Sequence, residues 1–138
     1  MSLLIVAGEN AIIEVMNKQT IFIVEDDKVL RGAYQRRFAR TSFNVRTAEN
    51  GQEALQMMQQ EQPDLLICDL MMPVQDGWWV LEQVRERGYQ FPILVLTNLD
   101  DDATIKRLDS FKVDGYLVKR NMSLHSLVEK VNELLEAA

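Results

Sequence analysis

The residues able to do chemistry gather at the ends of four short apolar runs. "IFIVEDD" closes on Glu25, Asp26 and Asp27, "DLLICD" on Asp69, "PILVLT" on Thr97 with Asn98 behind it, and "GYLVK" on Lys119. Carboxylates packed together repel and raise one another's pKa unless a cation sits among them. Hard oxygen ligands with open coordination positions suit Mg2+, which keeps several waters and binds through one or two carboxylates plus phosphate oxygens. A carboxylate beside such a metal can attack phosphorus and form an aspartyl phosphate. The product adds about −1.5 to −2 charge, for which the Lys119 ammonium and the Thr97 hydroxyl are fitting donors.

For these residues to meet, the runs must be neighbouring strands of one sheet. Segments 20–25, 43–48, 64–69, 92–97 and 115–118 are short and aliphatic or β-branched, mostly apolar on both faces, as strands covered by helices on either side should be. Between them lie helical spacings over 27–40, 50–61, 77–87, 100–110 and 122–136. Leu30, Tyr34 and Phe38 recur every four residues beside Ala33, and Asn50 with Glu53 forms a variant capping box. Val80, Leu81 and Val84 mark the third helix. Leu124, Leu127, Val128, Val131, Leu134 and Leu135 stripe the last one, and 100–110 is the weakest pattern. Alternation of this kind predicts an α/β fold, a doubly wound five-stranded parallel sheet flanked by five helices. Ligands of such sheets bind outside the carboxyl ends of the strands, where Glu25, Asp26, Asp69, Thr97 and Lys119 converge.

At 138 residues the chain is one domain, and 47% hydrophobic with 26% charged residues is globular composition. A net charge of −6 with scattered Lys and Arg argues against nucleic acid as a direct partner. The single cysteine, Cys68, has no internal disulfide partner and reads as an inert strand hydrophobe in a reducing compartment. No apolar stretch approaches the ~20 residues of a membrane span, and no basic residue precedes the apolar start, so the expected location is the cytoplasm. Residues 1–17 fall outside the strand–helix rhythm. They are read either as a poorly ordered tail, expression-derived or from an over-long start, or as an element that docks on the domain or on a neighbouring copy, and 18–138 as the domain proper.

"IFIVEDD", "LLICDLMMPVQDGW", "ILVLTN" and "DGYLVK", in this order and spacing, resemble the receiver domain of bacterial two-component response regulators. The resemblance implies a flavodoxin-like sheet of order 2-1-3-4-5. It also implies a phosphorelay function: a sensor histidine kinase or phosphotransfer protein donates a phosphoryl group to Asp69 with Mg2+ present, and an output surface switches. By the same resemblance Asp26 is a direct metal ligand, Glu25 acts through water, and the Met71 backbone carbonyl is the third protein ligand. Lys119 pairs with phosphate, Thr97 is the switch hydroxyl, and Tyr116 is the aromatic that swings inward with it. Pro73 and Gly77 shape the loop after the acceptor, Gly77 as a residue tolerant of unusual backbone angles. The domain is then no turnover enzyme but an acceptor that assists its own phosphorylation and dephosphorylation. A homodimer through the last strand and last helix is expected by analogy.

Two positions depart from the family pattern. The lysine is followed by Arg120 rather than proline, so a trans peptide or visible strain is expected there, since a non-proline cis bond costs about 3 kcal/mol. A small residue usually follows the switch threonine, where this chain has Asn98, whose amide would narrow access to the phosphoryl group or hydrogen-bond near it. These departures bear on switching geometry and phosphate lifetime rather than on phosphate acceptance. They motivate a rival reading, a receiver-like interaction module that is not phosphorylated, against which the acid triad, Thr97 and Lys119 are all retained. His125, off the apolar stripe, reads as a surface residue, and of Trp78 and Trp79 one should pack while the other stays partly exposed.

Overall fold

Apolar runs too short to bury themselves as helices pair into a single parallel sheet. The structure, a computed structural model, describes residues 18–137. The strands are β1 (Thr20–Val24), β2 (Asn44–Ala48), β3 (Leu65–Asp69), β4 (Ile93–Thr97) and β5 (Gly115–Val118). The helices are α1 (Lys28–Phe38), α2 (Gly51–Gln60), α3 (Gly77–Glu86), α4 (Asp102–Ser110) and α5 (Leu124–Ala137), with a 3-10 turn at Lys119–Asn121. Sheet order is β2-β1-β3-β4-β5, every pair parallel. The two readings of residues 1–17 lie outside the described residues.

Side-chain alternation splits the central strands between two cores. Phe22, Val24, Leu66, Cys68, Ile93 and Val95 face α2, α3 and α4, meeting Leu55, Met58, Val80, Leu81, Val84 and Leu108. Ile21, Ile23, Leu65, Ile67, Leu94 and Leu96 face α1 and α5, meeting Tyr34, Phe38, Leu127, Val128 and Val131. β1, β3 and β4 are buried on both faces, whereas β2 and β5 are half-exposed edges, which explains their weaker apolar patterns.

Helix starts follow local chemistry. Asp27, Asn50, Asp76 and Asp101 each cap a helix by accepting backbone N–H bonds. Ser123 and Ser126 bond reciprocally at the start of α5, Ser126 N–H to Ser123 Oγ at 3.0 Å and Ser123 N–H to Ser126 Oγ at 2.9 Å. Leu124, placed on the apolar stripe by sequence, instead sits exposed in this first turn. Trp78 is buried, with the Arg107 guanidinium 4.0 Å above its ring, and Trp79 is half-buried. His125 is exposed and pairs with Glu129 one turn on.

Candidate functional site

Strand register fixes the site before any side chain is considered. Val24 is level with Cys68, Asp69 with Leu96, and Thr97 with Val118. Glu25 therefore stands beside Asp69 at the carboxyl edge, with Thr97 and Lys119 one and two steps further along. Glu25, Asp69 and Thr97 are buried, at 1%, 7% and 1% exposure, while Asp26 lies exposed at the rim. Carboxylate oxygens of Glu25, Asp26 and Asp69 all lie within 4.8 Å of one another, a donor set able to hold a divalent cation. The third acid of the run behaves differently: Asp27 is spent on capping α1, accepting from the N–H groups of Val29 (2.9 Å) and Leu30 (3.1 Å).

Lys119 crosses from the edge strand to the centre of the mouth. Its Nζ donates to Glu25 Oε1 at 2.6 Å and to Asp69 Oδ2 at 2.8 Å. Burial pushes the Glu25 carboxyl up, the Lys119 hydrogen bond opposes this, and Asp69 adds repulsion, leaving its pKa at about 7. Burial alone would lower the Lys119 ammonium, but its bonds to Asp69 and Glu25 outweigh that and its pKa is raised. One half-buried ammonium thus pairs with Glu25 and Asp69 while Asp26 adds a third carboxylate to the cluster, and the excess negative charge is what a metal or other cation would neutralise. Asp69 Oδ1 is the freer oxygen, with only a long 3.5 Å contact from the Met71 N–H.

The loop after Asp69 corrects one sequence reading. Gly77 does not supply an unusual backbone angle; the left-handed residues are Val74 (φ 51) and Gln75 (φ 68). Gly77 is required because a Cβ there would meet the Asp69 carbonyl oxygen at 2.1 Å and Leu70 Cα at 2.7 Å. Its N–H donates to the Leu70 carbonyl at 2.9 Å, pinning the start of α3 under the acceptor strand. The Met71 side chain points into solvent, 62% exposed.

Thr97 reaches the mouth, but its Oγ1 accepts from the Leu99 N–H at 2.9 Å. Tyr116 lies at the edge with 36% exposure. No peptide is cis among the described residues, so the Lys119–Arg120 step is trans. The two departures from the family pattern touch each other. Arg120 N–H donates to Asn98 Oδ1 at 3.0 Å, and Arg120 Nη1 donates to the Asn98 carbonyl at 2.9 Å. Arg120 Nη2 also pairs with Asp100.

Sequence reasoning missed Arg31. Its Nη1 donates to the carbonyls of Glu25 (2.9 Å) and Asp26 (3.3 Å), and its Nη2 reaches Glu49 at 3.3 Å, bracing the backbone that carries the first two acids. A cation six positions after Glu25, on the helix that Asp27 starts, was the available signal.

Comparison with known proteins agrees with this geometry. The sequence model of the response regulator receiver domain matches residues 21–132. The response regulator MprA of Mycobacterium leprae is 37% identical over 116 residues, covering 83% of this chain and 50% of that protein. MprA of Mycobacterium tuberculosis is likewise 37% identical over 116 residues. The chain thus spans about half the length of the curated relatives it matches. Among solved structures, a putative response regulator from Chloroflexus aurantiacus superposes with a TM-score of 0.78 at 30% identity, covering 87% of this chain and 99% of that one. Chemotaxis protein CheY4 of Vibrio cholerae gives 0.79 at 25% identity, covering 85% and 98%. With the sheet order, the acid cluster and the matched span in agreement, the chain belongs to the response regulator receiver domain family of two-component signalling.

Proposed function

We propose that this domain accepts a phosphoryl group on Asp69 and changes an output surface in response. The observation that carries the reading is the Lys119 ammonium set between Glu25 and Asp69 at the carboxyl edge of the sheet. In the reaction, an Asp69 carboxylate oxygen forms a bond to phosphorus. The P–N bond of a phosphohistidine breaks, and the imidazole leaves with the bonding pair and takes up a proton. The donor is a sensor histidine kinase or a phosphotransfer protein. Glu25, Asp26, Asp69 and the Met71 carbonyl would hold Mg2+, Glu25 through water, and the ion would offset charge on the phosphoryl oxygens. Lys119 supplies a fixed ammonium to the same oxygens without reorganisation.

Phosphate on Asp69 would compete for the Thr97 hydroxyl, drawing it from the Leu99 N–H and letting Tyr116 turn inward at the α4–β5–α5 face. The domain assists its own phosphorylation and dephosphorylation rather than turning over a substrate, and it works in the cytoplasm. No helix among the described residues is long and apolar enough to cross a membrane. A homodimer through β5 and α5 is tested by sedimentation equilibrium with and without beryllofluoride.

Incubation with acetyl phosphate and Mg2+, followed by intact mass, should add one phosphate that is absent in Asp69→Asn. A wild-type protein that stays unmodified would favour the unphosphorylated interaction module. The departures that motivate that rival, Asn98 and Arg120, bond to one another and leave the Lys119–Asp69 contact in place.

A further inference from the structure

We infer that Asn98 and Arg120 are positioning residues for Lys119, a pair in which each makes the other's departure from the family pattern workable. The inference rests on the phosphoacceptor reading only for its kinetic consequence. Lys119 hangs from the end of an edge strand whose residues are only half-buried. A flexible four-carbon side chain loses rotamer freedom when held in one place, so its backbone origin must be held firmly if the ammonium is to stay between Glu25 and Asp69. Proline at 120 would restrain that backbone through its ring and would present no N–H. Arginine leaves an N–H at the rim, and the Asn98 carboxamide oxygen accepts it at 3.0 Å.

The side chain then closes the loop from the other side, Nη1 donating to the Asn98 carbonyl at 2.9 Å and Nη2 pairing with Asp100. The residue after Lys119 is thereby tied at three points to the segment that follows Thr97. The Asn98 oxygen is consequently directed at the Arg120 backbone and is not a free group over Asp69. A shift of the Thr97–Asn98 backbone must be felt at Lys119, because the two loops share these bonds.

The test uses the full chain and compares Asn98→Ala, Asn98→Asp, Arg120→Ala and Arg120→Pro. Acetyl phosphate with Mg2+ gives the rate of phosphate addition by intact mass, tryptophan fluorescence gives Mg2+ affinity, and circular dichroism checks folding. Asn98→Ala should slow phosphate addition roughly tenfold, the effect of one ordinary hydrogen bond, while Mg2+ affinity stays within about twofold because Lys119 is not a metal ligand. Asn98→Asp, which keeps an acceptor, should recover most of the rate. Arg120→Ala, which keeps the N–H, should lose only about threefold. In the Arg120→Pro background, which has no N–H to offer, Asn98→Ala should change nothing further.

A second readout needs no phosphoryl group: acetic anhydride labelling of Lys119, read by peptide mass, should accelerate in Asn98→Ala. An unchanged rate and unchanged labelling in Asn98→Ala would overturn the inference. So would an equal loss in the Arg120→Pro background, or a parallel fall in Mg2+ affinity. A wild type that never takes up phosphate overturns the proposed function instead, and the labelling experiment still decides the role of Asn98.

Discussion

Replacing Lys119 by methionine keeps the length and apolar stem of the side chain and removes the one charge that balances the mouth. Glu25 and Asp69 would then face each other buried, without the ammonium that lies 2.6 and 2.8 Å from them. Breaking a buried ion pair costs about 3–5 kcal/mol. The low end, about 3 kcal/mol, applies here because the Lys119 side chain is 14% exposed and water reaches the mouth. That cost depends on pH through Glu25. Its folded pKa, about 7, lies above its ordinary 4.5, so the native state binds the proton more tightly than the unfolded chain does. The stability this provides is complete below the unfolded value and is lost as pH rises through 7, by at most about 3 kcal/mol in the wild type.

In Lys119→Met the hydrogen bond that lowers the Glu25 pKa is gone, so the window moves higher still. Near pH 5.5 Glu25 is largely protonated in both proteins and the variant should be within about 1 kcal/mol of wild type. Near pH 8 the gap should widen to about 3 kcal/mol. Urea unfolding followed by tryptophan fluorescence, with EDTA throughout, measures both. Added Mg2+ at the higher pH should narrow the gap, because it neutralises the charge the lysine no longer does. A loss of equal size at the two pH values, or a variant more stable than wild type at the higher one, would refute the reasoning.

Gly77→Ala should destabilise the fold by about 3 kcal/mol, since the added Cβ meets backbone atoms of Asp69 and Leu70 that have no flexible end to yield; chemical denaturation measures it. Val74→Gly should raise stability by about 1 kcal/mol by relieving a β-branched residue at φ 51, again read from urea midpoints, and an unchanged midpoint would show that the loop stores no strain. Neighbouring acids should separate cleanly: Asp27→Ala loses about 1 kcal/mol of helix capping with Mg2+ affinity intact, whereas Asp26→Ala loses Mg2+ affinity with little change in stability. Cys68, buried and with its thiol pKa pushed up by that burial, should resist a thiol reagent in native buffer and react at once in denaturant.

How far the sequence alone reaches differs between these residues for physical reasons. The three central strands announce themselves because burial on both faces demands unbroken apolar runs, and each run ends on the residue that reaches the mouth. Glu25, Asp69 and Thr97 are therefore readable from strand ends alone, and Lys119 from the end of the edge strand β5. The edge strands are weaker because one flank meets solvent, and α4 is thin because Thr104 and Leu108 are its only buried positions. Asp27 continues the acidic run of Glu25 and Asp26, and only the helix start shows that its carboxylate caps α1. Gly77 was placed correctly but for the wrong reason, since a steric approach between residues eight positions apart leaves no local mark. Arg31 left a local signal, a cation six positions after Glu25, whereas the Asn98–Arg120 pair was out of reach because its members are 22 positions apart and meet only through the register of neighbouring strands.

That register also explains why strain of charge can persist at this one place. No buried side-chain nitrogen or oxygen among the described residues lacks a hydrogen-bond partner, so the rest of the interior is satisfied. The mouth alone keeps more negative charge than its lysine can balance, within 4.8 Å and largely out of water. Two fully buried cores on either side of the sheet hold Glu25 and Asp69 there, because sliding a strand by one residue would turn every side chain to the opposite face. A cation or a charge-shifting modification bound only by the folded mouth stabilises the domain by relieving that repulsion. Binding and stability are thus linked through the same few atoms. A variant that removes the repulsion, such as Asp69→Asn, should accordingly lower the Glu25 pKa and reduce the stabilisation that Mg2+ confers, both measurable on the unphosphorylated protein.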